Sequence, residues 1–142
     1  MIPLRQNFPL TVLVVDDDYC TRNLLAIILE KNGYKIINAE DGLEALEVFE
    51  RQTPDVIITD INMPRMNGLD LIKRVRKSGG APAEMPIIAL TADIDMIGEA
   101  QLAGADIVGR KPTDMRKVPC YIQELFEAKS WSRMESLATK VG

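Results

Sequence analysis

The chain has 142 residues, 46% of them apolar, which suits one domain with its own hydrophobic core and no need of covalent staples. It has no histidine and only two cysteines, Cys20 and Cys120; histidine catalysis and histidine metal ligation are excluded, and the cysteines read as buried or neutral thiols of a cytosolic protein. The net charge of −4 speaks against nucleic acid or an anionic membrane as a direct partner, no apolar run approaches the roughly 20 residues that span a bilayer, and residues 1–10 lack the apolar core of a signal peptide.

Apolar runs and amphipathic stretches then alternate along the chain. Residues 11–15 form the first expected strand. A helical pattern follows with Leu24, Leu25, Ile28 and Leu29 on one side, closed by Asn32-Gly33. Residues 34–38 read as strand two, and 42–51 as a helix with Leu43, Leu46 and Val48/Phe49 on its apolar side. Pro54 opens strand three, 56–59. Helix three covers 69–77, with Leu69, Ile72 and Val75 or Arg76 at helical spacing. The Gly/Pro/Ala-rich stretch 78–85 reads as a loop, 87–90 as strand four, and 94–103 as a helix ending at Gly104. Strand five falls near 106–110. A last helix covers 119–129, since proline is welcome at a first helical position; the tail 131–142 extends it or frays. Apolar strands separated by helices imply a parallel sheet covered on both faces, here a doubly wound α/β sandwich of five βα units.

In such sheets sites form beyond the carboxyl ends of the strands. Strand one ends in Asp16-Asp17-Asp18, strand three in Asp60, strand four in Thr91 and strand five in Lys111-Pro112; strand two ends in Asn38. Two carboxylates about 4 Å apart repel by roughly 4 kcal/mol at an effective dielectric near 20, so one is protonated or a cation lies between them. Oxygen ligands without histidine suit Mg²⁺, Mn²⁺ or Ca²⁺, and Mg²⁺ with a few carboxylates serves phosphoryl chemistry. Thr91 offers a hydroxyl and Lys111 a cation to phosphoryl oxygens. Each feature alone has a plain alternative. Asp18 reads as a helix N-cap, and a triple Asp can be a solvated turn. The joint pattern at four strand ends outweighs those alternatives.

These residues resemble the receiver domain of two-component response regulators. The resemblance rests on Val12-Leu13-Val14-Val15-Asp16-Asp17, Thr59-Asp60-Ile61-Asn62-Met63-Pro64 with Met66-Asn67-Gly68, residues 86–92, Ala103-Gly104-Ala105 and Lys111-Pro112. It implies a flavodoxin-like sheet of order 2-1-3-4-5 with five helices, in a domain spanning residues 10–130 with extensions 1–9 and 131–142. It implies that Asp60 accepts a phosphoryl group, and that Asp17, Asp60 and the Asn62 carbonyl hold Mg²⁺, with Asp16 acting through water or by orienting Asp17. Thr91, followed by Ala92, and Lys111 would hold the phosphoryl oxygens, and Lys111-Pro112 would be cis. Asn62 and Asp93 would tune dephosphorylation toward minutes.

The same resemblance implies a cytoplasmic protein that is no enzyme toward other substrates and catalyses only its own phosphorylation and dephosphorylation. Its partners would be a histidine kinase or histidine phosphotransfer protein and a downstream protein, with no direct contact to nucleic acid or membrane. The signal would leave through the surface of helix four, strand five and helix five, as a monomer or a weak dimer through that face. With no output segment after residue 129, the chain reads as a stand-alone regulator or a piece of a larger protein. Departures fall on that output face: Val108 stands where the family often has an aromatic switch residue, Thr113 follows the proline, and Pro119 interrupts the expected helix start. A non-switching receiver-like scaffold is therefore one competing reading. A haloacid-dehalogenase-like phosphatase using Asp16 and Asp18 is another, in which Asp60 would have no role.

Overall fold

The computed structural model describes residues 9–128; the two terminal stretches, with the expectations for residue 129 and the tail, lie outside them. Five parallel strands carry the fold: β1 (Thr11–Val15), β2 (Lys35–Ala39), β3 (Val56–Asp60), β4 (Ile87–Thr91) and β5 (Ile107–Arg110), in the order β2-β1-β3-β4-β5. The helices are α1 (Tyr19–Lys31), α2 (Gly42–Arg51), α3 (Gly68–Arg76), α4 (Ile97–Ala103) and α5, which spans residues 118–128. This is the expected doubly wound sandwich.

Strand periodicity divides the core in two. Leu13, Val15, Ile57, Ile87 and Ala89 face α2, α3 and α4. Val12, Val14, Val56, Ile58, Ile88 and Leu90 face α1 and α5, meeting Leu25, Leu29, Val118 and Ile122. Three helices begin on a side-chain cap, with Asp18, Asp41 and Asn67 accepting from the amides of Thr21, Glu44 and Asp70.

Several expectations need correction. β2 lies one residue later than read, and β3 and β4 each extend one residue further, through Asp60 and Thr91. α3 starts at Gly68, the 78–85 stretch contains a 3-10 turn at Ala81–Glu84, and helix four is a 3-10 turn (Ile94–Met96) leading into α4. Pro119 interrupts nothing: it is the second helical residue of α5, where no backbone donor is required. Leu24 and Leu43 are exposed, because α1 and α2 turn Leu25-Ala26-Leu29 and Ala45-Val48-Phe49 to the sheet instead. Cys20 and Cys120, read as buried or neutral, are both free and exposed.

The edge of the sheet opposite the Asp-rich strand ends is tied by one side chain. Arg76, at the end of α3, donates to the carbonyls of Gly104 (2.9 Å), Ala83 (2.9 Å) and Met85 (2.6 Å). It also meets Asp106 Oδ2 at 2.9 Å, and that oxygen accepts from the amide of Ile87. Arg76→Met would keep much of the aliphatic stem and strand these acceptors. Chemical denaturation is expected to show a loss of about 2–4 kcal/mol, with the larger part from unpaired acceptors.

Candidate functional site: an acidic corner at the carboxyl ends of the strands

β1, β3 and β5 bring the corner together. Asp16, Asp17 and Asp60 each place a carboxylate oxygen within 4.8 Å of the others. Asp16 is buried, Asp60 half-buried and Asp17 exposed, so the corner opens to solvent on one side. Lys111 reaches in from the end of β5, with Nζ 2.5 Å from Asp16 Oδ2 and 3.3 Å from Asp60 Oδ2. The peptide bond between Lys111 and Pro112 is cis, as expected.

Two of these carboxylates, those of Asp16 and Asp60, are held by backbone amides. Asp16 Oδ1 accepts from the Asp18 amide (2.8 Å), and the Asp16 carbonyl accepts from Arg22 Nη1 (2.7 Å). Asp60 Oδ1 accepts from the Ile61 amide at 2.8 Å. Burial pushes the Asp60 carboxyl above the usual range; Lys111 opposes this and Asp16 reinforces it. Three carboxylates with one ammonium leave an excess of negative charge among oxygen donors. That donor set fits a hard divalent cation that keeps several waters.

The other expected residues are not all drawn into the corner. Thr91 is buried, but its hydroxyl accepts from the Asp93 amide (3.0 Å) and lies 3.4 Å from the Asp93 carbonyl. Asp93 itself caps the Ile94–Met96 turn through the Asp95 amide. Asn62 and Ala92 are exposed beside the strand ends. Val108 is a half-buried packing residue against the α2–α3–α4 layer.

The sequence reading gave no role to Gly68 or Arg65, which shape the β3–α3 loop. A Cβ on Gly68 would lie 2.0 Å from the Asp60 carbonyl, so only glycine permits this approach; the Gly68 amide donates to the Ile61 carbonyl. Arg65, at φ 65°, pairs with Asp41 across the loop. The signal for Gly68 was the recurrence of a capping residue before glycine, at Asp41-Gly42 and Asn67-Gly68; Arg65 carried none.

The strand order and the helices on both faces define the flavodoxin-like class of α/β domains. A family model described as the response regulator receiver domain matches residues 12–123, and the chain belongs to that family. It is 35% identical over 125 residues to the response regulator MprA of Mycobacterium sp. (strain KMS), covering 86% of this chain and 53% of that one. The chain thus spans about half the length of the MprA relatives it matches. It is 31% identical over 121 residues to sporulation initiation phosphotransferase F of Bacillus subtilis, covering 84% of this chain and 95% of the relative. Among solved structures it is similar to the response regulator TrrA of Thermotoga maritima in complex with Mg²⁺-BeF: 34% identity, TM-score 0.73, 81% of this chain and 97% of that one. No helix among the described residues is long and apolar enough to cross a membrane.

Asp60→Asn keeps an oxygen for the Ile61 amide and removes a carboxylate that burial disfavours, while Lys111 keeps Asp16. Without metal at neutral pH, the variant is expected to melt about 4 °C higher, from roughly 1 kcal/mol of relieved charge burial. The sign follows from the raised folded-state value. The wild type is favoured while Asp60 is protonated, below the ordinary value of 3.8, and loses that advantage as pH rises through the folded value. The gap between variant and wild type should therefore widen with pH across that window in thermal melts.

Proposed function

We propose that the domain takes a phosphoryl group on Asp60, from a histidine kinase or histidine phosphotransfer protein, with Mg²⁺ held at the acidic corner. The observation that carries this reading is the convergence of Asp16, Asp17 and Asp60 with Lys111 at the strand ends. An Asp60 carboxylate oxygen attacks phosphorus, the new O–P bond forms, and the bond from phosphorus to the donor breaks. Asp17, Asp60 and the Asn62 carbonyl would ligate the ion, with Asp16 acting through water or by orienting Asp17. The ion would neutralise charge between acceptor and incoming group. Lys111 already stands 3.3 Å from Asp60 and would turn to a phosphoryl oxygen, releasing part of its hold on the carboxylates. Thr91 would redirect the hydroxyl proton it now donates toward the Asp93 carbonyl to another phosphoryl oxygen.

That exchange would carry the change into the β4–α4 connection and so to the face of α4, β5 and α5, where a downstream protein reads it. Val108 packs there as a core residue, so the readout proceeds without an aromatic partner for Thr91. The domain acts on itself and on no other substrate, and works in the cytoplasm as a monomer or a weak dimer through the same face. The Mg²⁺-BeF complex of TrrA and the name of the Bacillus relative support the chemistry.

Incubation with a small-molecule phosphodonor and Mg²⁺ is expected to add one phosphoryl group by intact mass, absent in Asp60→Asn or with EDTA. Failure to form any adduct would favour the scaffold reading. Asn62 and Asp93 are both exposed and follow Asp60 and Thr91 by two residues, which would leave water room to reach the acyl phosphate. Its lifetime is expected to be minutes, and persistence over a day would contradict that role for the two residues.

A further inference from the structure

We infer that the pair Asp41–Arg65 is a positioning device for the metal site: it fixes the β3–α3 loop so that the Asn62 carbonyl is held at the acidic corner. The inference rests on the proposed role of that carbonyl as a ligand. Asp41 is a buried carboxylate whose two oxygens have separate tasks. Oδ1 caps α2 by accepting from the Glu44 amide at 2.9 Å. Oδ2 receives two guanidinium nitrogens of Arg65, Nε and Nη2, each at 2.6 Å. Asp41 is 8% exposed and Arg65 60%, so the pair anchors a surface side chain to an inner, helix-fixed point.

The same loop is tied to α2 a second time, through the backbone. The Gly42 amide donates to the Met66 carbonyl at 3.0 Å, and a Cβ on Gly42 would lie 2.7 Å from that carbonyl. At the far end Gly68 sits against the Asp60 carbonyl. Between these ties, Asn62 is exposed and makes no side-chain hydrogen bond in the described residues. Arg65, three residues further on, holds φ at 65°, a left-handed conformation that disfavours every residue with a Cβ and that glycine adopts freely. A non-glycine residue is kept there for what its side chain holds, and its side chain holds Asp41. Carbonyl ligands need their peptide plane fixed, and the groups that orient ligands govern metal affinity as the ligands do.

The deciding variant is Arg65→Gly, which relieves the backbone and removes the pair. Charge alone predicts tighter Mg²⁺ binding, because a cation near an acidic site is lost. Positioning predicts the opposite: calorimetric titration with MgCl₂ should show binding weakened about tenfold, while denaturation shows a folded domain of near wild-type stability. Asp41→Asn, which keeps the cap, should weaken binding similarly, and the double variant no more than either single one. Arg65→Lys, a point cation without the guanidinium's paired donors, should recover only part of the affinity. Arg65→Gly binding Mg²⁺ as well as or better than the wild type overturns the inference while leaving the site reading intact. A wild type that binds no Mg²⁺ overturns both.

Discussion

Three carboxylates share one corner with a single ammonium group, and that imbalance governs the rest of the molecule. Repulsion between neighbouring carboxylates is several kcal/mol at intermediate dielectric, so an unrestrained chain would splay them apart. Lys111 offsets part of the repulsion by lying between Asp16 and Asp60. The remainder is resisted by geometry. Asp16 and Asp60 leave strands buried on both faces, whose ladders are fixed by registers such as Val15↔Thr59 and Asp60↔Leu90. A rigid sheet can hold charges closer than they would choose, and the excess negative charge becomes affinity for a cation.

The loops around the corner are set by backbone contacts more than by side chains. Gly68 permits the start of α3 to lie against the Asp60 carbonyl, and Gly42 permits the start of α2 to lie against Met66. Amides of Asp18 and Ile61 hold the carboxylates of Asp16 and Asp60. Thr91 is the exception, a buried hydroxyl held by two backbone groups of one residue, Asp93. Both of its partners lie in one residue two positions on, whereas Asp16 and Asp60 are also held by Lys111 from the end of β5, so Thr91 can change partner with least disturbance of the core.

Much of this was legible in the sequence. β1, β3 and β4 announce themselves as short β-branched runs because both of their faces are buried. Asp16, Asp17 and Asp60 stand out because a charge immediately after such a run has few structural reasons to be there. The boundaries were less legible: Asp60 and Thr91 are ladder residues, since a polar side chain does not end backbone pairing. The rotation of α1 and α2 was misread because Leu24 and Leu43 fit the helical period as well as the residues that pack. Arg65 and Asp41 lie 24 positions apart and Arg76 and Asp106 lie 30 apart, separations at which no local pattern links them.

Arg76 gives the domain two unlike poles. It joins the end of α3, the 78–85 connection, the turn after α4 and the entry to β4 through one guanidinium. β4 and β5 are therefore clamped by Arg76 at their amino ends, while Thr91 and Lys111 stand at their carboxyl ends beside the acidic corner. The end of the sheet opposite the acidic corner is thus where these two strands are pinned by a side chain.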